Sequence, residues 1–385
     1  MSRLRFAAVA ALVLAPSLRP GHAAAQSNIS TQGYGFPPGQ LSTRASSMGG
    51  AIGEIDAGSA LNPASLGRLV TRTILFQMEP EWRRVKAPAG SNSTTTARYP
   101  LINIGVPFGE HWVIGVSSST LLDRTWQTSR DDTLDINGDI VPTTTQELSQ
   151  GAMNDLRLAT TWTNRRNFYA GIGFSGITGR NVLSTVQQFK DSAFNDFSSD
   201  RVLSYSGSAI SAGMQYLSAP MQTVFGVSYR MGNALKMRSN DTTLARGDVP
   251  SRLGASVAYT GLEGTILSVR VAQDQWSKMT PMLANAASGE KAHDSFEIGV
   301  GAEVTGPKLL GQTMMLRGGM RSRTLPFEAA GKEVTEKVAS FGSGAIFGGG
   351  RMSADFAILR QWRNADLPSI TERAWTFSLS LTARP

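Results

Sequence analysis

The chain has 385 residues, no cysteine, and 37 basic against 29 acidic side chains, for a formal charge of +8. Without cysteine there is no disulfide framework, no thiolate nucleophile and no cysteine-ligated zinc. The basic residues are scattered singly, which argues against nucleic-acid binding. Hydrophobic residues make up 41% and glycine 40 positions, a composition that suits strands with one apolar face better than helices.

The N-terminus reads as a cleavable signal peptide, residues 1–25. Arg3 and Arg5 form its charged region, Phe6–Ala15 its apolar region and Ala23-Ala24-Ala25 its cleavage site, with Gln26 as the expected first mature residue. Ten apolar residues ended by Pro16 are too few for a membrane-spanning helix. Removing this leader takes away Arg3, Arg5 and Arg19 and lowers the charge from +8 to +5. A few exposed Arg and Lys of that kind need no partner beyond anionic outer-membrane lipid.

Residues 26–68 follow as a small-residue segment. Leu41–Gly67, LSTRASSMGGAIGEIDAGSALNPASLG, is nearly uncharged and rich in Gly, Ala and Ser. Small residues let a backbone pack closely against a wall, and glycine permits the turns this needs. Asn62-Pro63-Ala64 reads as a turn, because proline restricts its predecessor to extended conformations. As a site it is either a displaceable gate or, as turn chemistry alone would give, a fixed anchor.

From residue 69 to 385 the pattern has period two, the strand signal. In Trp375-Thr376-Phe377-Ser378-Leu379-Ser380-Leu381-Thr382 every second residue is apolar and the others are hydroxyls. Lipid on one face and a polar lumen on the other account for both. Strands are predicted near 71–82, 98–108, 111–122, 151–163, 167–178, 182–190, 201–217, 221–231, 250–260, 264–276, 294–304, 313–323, 335–348, 350–361 and 371–383, with 232–243 as a further candidate. Single-chain bacterial barrels have even strand counts. Dropping 182–190, the poorest pattern, gives fourteen. The expected fold is all-β, a transmembrane antiparallel barrel with the N-terminal segment plugging its lumen.

Pro107-Phe108-Gly109-Glu110 and Thr163-Asn164-Arg165-Arg166 are short and predicted periplasmic. Asp123–Ser149, Lys190–Asp200, Ser277–Asp294 and Asn364–Thr371 are long, polar and predicted external. Trp82, Tyr99, Trp112, Trp162, Tyr169, Tyr229, Tyr259, Trp276, Trp362 and Trp375 fall near strand ends, as interfacial girdles require. Arg317 and Asp355 sit mid-strand, where a charge is tolerable toward a wet lumen and costly toward lipid. Arg317 is the candidate lumen-facing residue and Trp276 the candidate pocket rim.

Asp131–Asp139 has a calcium-loop flavour, with Asp135, Asn137 and Asp139, but no bidentate Glu falls at the expected end, so a solvated acidic loop is expected and no metal site. His111 and His293 are the histidines beyond the leader, and no Gly-x-Ser-x-Gly elbow presents a serine. No catalytic constellation and no cofactor are expected.

Three stretches carry a family resemblance. Met48-Gly49-Gly50, Ala60 and Asn62-Pro63-Ala64 resemble the N-terminal hatch of the FadL-like long-chain fatty acid transporters. Val269–Ser277, ending in Trp276-Ser277, resembles that family's strand ending in Trp-Ser, and Leu316–Arg321 followed by Leu325-Pro326 its arginine–glycine strand. The resemblance implies a fourteen-stranded barrel in the bacterial outer membrane, plugged by the segment before its first strand. It also implies uptake of a hydrophobic small molecule with lateral release through the wall. A PorV-like branch of the family implies instead a secretion-system protein as partner. The barrel-assembly machinery is the expected folding partner, although the chain ends in Ala383-Arg384-Pro385 with Phe377 its last aromatic.

An open diffusion porin would line its channel with charge rather than fill it with about forty residues, and a soluble β-sandwich would need a dry face on every strand. Transport of a hydrophobic small molecule is the reading these features favour.

Overall fold

A computed structural model describes residues 30–31, 34–87, 90–136, 139–191, 193–283, 291–309, 311–329, 331–365 and 370–385. The predicted signal peptide, and Asn137 and Gly138 of the acidic loop, lie outside the described residues.

After a short helix α1 (Thr43–Ser47) and a 3-10 helix (Pro63–Arg68) the chain is built of strands. They are β1 (Thr73–Ala87), β2 (Gly90–Phe108), β3 (Trp112–Asp123), β4 (Trp126–Ile136), β5 (Asp139–Thr163), β6 (Phe168–Phe189), β7 (Phe197–Ser218) and β8 (Thr223–Ser239). There follow β9 (Thr242–Asp248), β10 (Arg252–Leu262), β11 (Thr265–Asp274), β12 (Ser295–Leu309), β13 (Gln312–Ala329), β14 (Lys332–Phe347), β15 (Met352–Asn364) and β16 (Thr371–Ala383).

All pairings are antiparallel and, apart from β3–β5, β8–β10 and the closing β1–β16, join sequence neighbours. β4 pairs with β5 alone and β9 with β8 alone, so β3 passes to β5 and β8 to β10 in the wall. The ladder closes where β1 meets β16, from Ile74↔Ala383 to Lys86↔Thr371. Sixteen strands less those two side hairpins leave a closed fourteen-stranded barrel. No helix among the described residues is long and apolar enough to cross a membrane.

The period-two pattern sorts the residues by face. Along β16, Trp375, Leu379 and Leu381 are 36–49% exposed, while Thr376, Ser378, Ser380 and Thr382 are at most 7% exposed. The same division holds on β10, where Leu253, Val257 and Tyr259 face out and Arg252, Ser256 and Ala258 are buried inward. An outer surface of exposed Ile, Val, Leu, Phe and Trp over a polar interior is a barrel built for a bilayer. Trp82, Tyr99, Trp112, Trp162, Tyr229, Tyr259, Trp362 and Trp375 are exposed on that surface, and Tyr169 is half-buried; Trp276 departs from the group and is buried.

Strand boundaries differ from expectation in three places. The segments expected at 167–178 and 182–190 are one strand, β6, because Thr178–Asn181 stays paired with both β5 and β7. The candidate at 232–243 is the end of β8, folded back on the unpredicted β9. The loop expected at 123–149 is largely the β4–β5 hairpin, held by an unbroken ladder from Trp126↔Ser149 to Ile136↔Asp139.

The turns on the side of residues 109–111, 164–167 and 263–264 are short. Gly264, second residue of the Glu263-Gly264 turn, takes the left-handed conformation at φ 63°, which glycine adopts without steric cost. The described residues of the predicted external segments all fall at the opposite end, called here the long-loop end; 192, 284–290 and 366–369 of those segments lie outside the described residues.

A charge placed outward near the middle of a strand tests the face assignment. Val300→Arg on β12 is expected to cost about 2–4 kcal/mol, read by urea unfolding of protein folded into lipid vesicles. An unchanged midpoint would mean that this face does not meet lipid.

Candidate functional site

The residues from 34 to 68 are almost all buried although they belong to no strand of the barrel. They bond to inward-facing side chains all round the cylinder. Partners include Asn103 on β2, Thr161 on β5, Ser228 on β8, Arg270 on β11, Ser340 on β14 and Ser378 on β16. A segment in contact with the inner faces of strands spaced round a closed barrel lies inside it.

Local chemistry explains its path. Ser42 caps α1, its Oγ accepting from the Ala45 amide at 3.0 Å while donating to Asp56 at 2.6 Å. At Gly49, φ 62°, the chain leaves the helix. The Met48–Gly49 backbone there lies directly against Gly299, Gly301 and Gly319 of the wall, where a Cβ would collide with it. Small residues on both sides are what permit that approach.

Asn62-Pro63-Ala64 is a second anchor. The Asn62 Oδ1 accepts from the Ala64 amide at 2.9 Å and Pro63 opens the 3-10 helix. Its Nδ2 donates to the Glu54 carbonyl at 2.7 Å and to the Met214 carbonyl at 3.3 Å. Thr161 donates to the Pro63 carbonyl at 2.6 Å, and Ala64 is fully buried against Gly171. Both polar atoms of the Asn62 side chain are thus bound within the segment or to the wall.

Charge fixes the segment more strongly. Glu54 is fully buried and accepts from Arg252 at 3.1 Å, Arg270 at 3.4 Å and Ser228 at 2.5 Å. Arg252 also pairs with Asp274 at 3.2 Å, and Arg270 with Glu297. Arg44 meets Glu303 at 2.7 Å, and Arg317 bridges the same Glu303 at 2.5 Å to Asp355 at 2.6 Å. Arg317 therefore faces the lumen, with its charge shared by two carboxylates.

Phe36 occupies a third contact. Its ring lies 4.3 Å from the Arg363 guanidinium, 5.1 Å from Arg323, 5.2 Å from Arg98 and 5.8 Å from Arg83. Those four cations are held by Glu81, Glu336, Glu372 and Asp123. Each cation–ring contact contributes roughly 0.5–2 kcal/mol, the upper end when desolvated.

The lumen is layered. Toward the long-loop end lies an apolar cluster that includes Leu122, Met153, Ile177, Leu203, Met279 and Phe327. Trp276 belongs to it, edge-on to Phe327 at 6.3 Å, at the head of a 3-10 helix (Trp276–Met282). The middle layer is the ion-pair network. Toward the short-turn end a cavity of about 290 Å³ is bounded by Arg44, Ile52, Ile55, Arg68, Asp355 and Arg384, among others. Of the sequence candidates, the structure joins Asn62, Pro63 and Ala64 in one turn. Arg317 and Trp276 belong to two other assemblies.

No group of three metal-ligating side chains occurs among the described residues. His111 bonds the Thr163 carbonyl at 2.8 Å at the short-turn end, and His293 pairs with Glu328 at 2.9 Å at the other. Sequence reading missed Tyr34, Phe36, Glu54 and Arg124, all buried in the lumen. The available signal was Glu54, a lone Glu in a small-residue stretch that precedes strands with arginines at inward positions.

Removing the Glu54 charge leaves two guanidiniums with one fewer counter-ion in a buried site, at about 3–5 kcal/mol. Glu54→Gln is expected to lower hydrogen-exchange protection of residues 40–66 by roughly a hundredfold or more, leaving strand amides unchanged. Equal protection in both proteins would show that this ion pair does not seat the segment.

Comparison of the sequence with protein-family models and with curated proteins finds no match. The fold does find matches. A Pseudomonas aeruginosa FadL homologue superposes at TM-score 0.60 and 14% identity, over 91% of this chain and 99% of the other. The Ralstonia pickettii toluene transporter TbuX gives 0.58 at 12% identity over 89% and 98% of the two chains. The Pseudomonas putida toluene transporter TodX gives 0.56 at 12% identity over 91% and 99%. By superposition and extent, the chain has the fold of the FadL-type channels.

Proposed function

We propose that this protein is a channel of the bacterial outer membrane for hydrophobic small molecules, long-chain fatty acids or similar, with the N-terminal segment as its hatch. One observation carries the reading: the lumen is filled rather than open, and the layer nearest the long-loop end is apolar. A water-filled porin needs neither feature. The neighbouring folds, two of them described as toluene transporters, support the same cargo class.

Cargo entering from outside leaves water for the apolar layer, with a gain of roughly 0.8 kcal/mol per methylene buried. The ion-paired middle layer then blocks straight passage, because an apolar tail cannot replace the partners of those charges. A sideways exit avoids it. The β2–β3 ladder runs only from Phe108↔Trp112 to Leu101↔Ser119, and beyond it β2 pairs with β1 alone. That seam adjoins Leu121 and Leu122 of the apolar cluster, which supports release through the wall at this place.

Cells lacking the protein are expected to take up labelled long-chain fatty acid at the passive background rate, with uptake restored by the wild-type chain. In planar bilayers the purified protein is expected to show no steady ion conductance. Normal uptake in the deletion strain, or a permanently conducting pore, would overturn the reading.

A further inference from the structure

Four cations face outward where the barrel closes. Across β14, β15, β16 and β1 the ladder sets Lys337 opposite Trp362, Trp362 opposite Arg373, and Arg373 opposite Arg84. These side chains make one row on the outer surface, and all are exposed. The next outward row toward the short-turn end holds Arg360, Trp375 and Trp82, in register with one another. The Arg360 guanidinium lies 4.7 Å from the Trp375 ring and 5.7 Å from the Trp362 ring, contacts that hold it along the surface.

The rows mark the edge of the apolar band nearest the long loops. From Arg373 toward the short-turn end the outward residues of β16 are Trp375, Phe377, Leu379 and Leu381. Exposed tryptophans at such an edge belong at the boundary of hydrocarbon and head groups. None of the four cations has an ion pair among the described residues. The inward arginines beside them do: Arg83 is held by Glu81 and Arg363 by Glu336. Glu333, on the outward face of β14 nearer the long loops, lies beside His293 at 3.9 Å. Arg84 and Arg373 stand directly opposite each other, and like charges so placed destabilise a ladder. An anion between them turns that repulsion into attraction. Phosphate suits the position, because a guanidinium binds its oxygens through two parallel hydrogen bonds and an ammonium adds a point charge. From Lys337 to Arg84 the row spans three strand spacings, about 14 Å, the length of a disaccharide with a phosphate on each ring.

We propose that Lys337, Arg360, Arg373 and Arg84 form a binding site for a phosphorylated glycolipid of the outer leaflet, of the lipid A type. Its phosphates lie among the four cations, and its acyl chains run down the outer wall over Trp375 and Phe377. One lipid then bridges the first and last strands of the barrel at the seam that closes it. The site rests on the reading of this chain as an outer-membrane barrel with its long-loop end outside, and is independent of what passes through the lumen.

The test is native mass spectrometry of the detergent-solubilised full chain with three probes: lipid A carrying both phosphates, the same lipid dephosphorylated, and phosphatidylglycerol. The wild type is expected to retain one phosphorylated lipid A and to prefer it by roughly tenfold or more over each of the other two. The double variant Arg84→Gln/Arg373→Gln is expected to lose that preference, and Arg84→Lys/Arg373→Lys to keep part of it. Arg180→Gln/Arg238→Gln, which removes two exposed charges from β6 and β8, is expected to keep all of it. Equal wild-type retention of phosphorylated and dephosphorylated lipid A overturns the site. Phosphatidylglycerol held as well as lipid A overturns its assignment to an outer-leaflet glycolipid. A preference that survives in Arg84→Gln/Arg373→Gln, or falls equally in the β6 and β8 pair, overturns its location. The wild-type ratios decide the matter even if the variants fail to fold. Cargo uptake is read by a separate assay, so failure here leaves the transport reading standing.

Discussion

Neutralising buried charge is the constraint on which this interior depends. A barrel wall with period-two strands must turn half its side chains inward, and here many of those are arginine or glutamate. Once the N-terminal segment fills the lumen, those groups lose bulk water and need partners. The segment supplies some of them itself. Glu54 completes Arg252 and Arg270, Arg44 completes Glu303, and Phe36 lies among four guanidiniums. The wall supplies the rest through pairs such as Arg363–Glu336 at 2.7 Å. Seating of the segment and neutrality of the wall are therefore one problem with one solution.

The layering follows from where such pairs are absent. Toward the long-loop end the inward positions become Leu, Ile, Met and Tyr, and the lumen there is apolar. Toward the other end a cavity remains, where Arg44, Asp56 and Asp355 share the wall with Ile52, Leu75 and Val224. A single closed sheet thus holds three different environments along its axis, arranged by which residues occupy inward positions of the strands.

Much of this was legible in the sequence. Trp375–Thr382 alone gives the face assignment, and the small-residue stretch before β1 gives the occupant of the lumen. Arg317 and Asp355 read as luminal because a mid-strand charge has no other affordable direction. What escaped was structure set by partners rather than by pattern. Thr178–Asn181 looks like a turn but is held straight by ladders on both sides. The β4–β5 hairpin over residues 126–149 is rich in Thr, Asp and Gln and lacks a sustained apolar alternation, so it reads as a polar loop. Asn62-Pro63-Ala64 was visible as a turn, whereas Tyr34 and Arg124 are far apart in the chain and neither carries a local signature. Whether a buried donor is satisfied is a property of the assembled lumen, and no spacing rule expresses it.

The pleat of each strand has a consequence for how such a protein can diverge. Successive residues answer to different surroundings, one to lipid and the next to the lumen, with little physical crosstalk between them. Inward positions can exchange one polar side chain for another without penalty in the membrane, and outward positions can exchange Val, Leu, Ile and Phe without disturbing the lumen. Sequence memory then fades quickly while the cylinder persists. Superposition over 91% of the chain at 14% identity is the expected mark of that freedom.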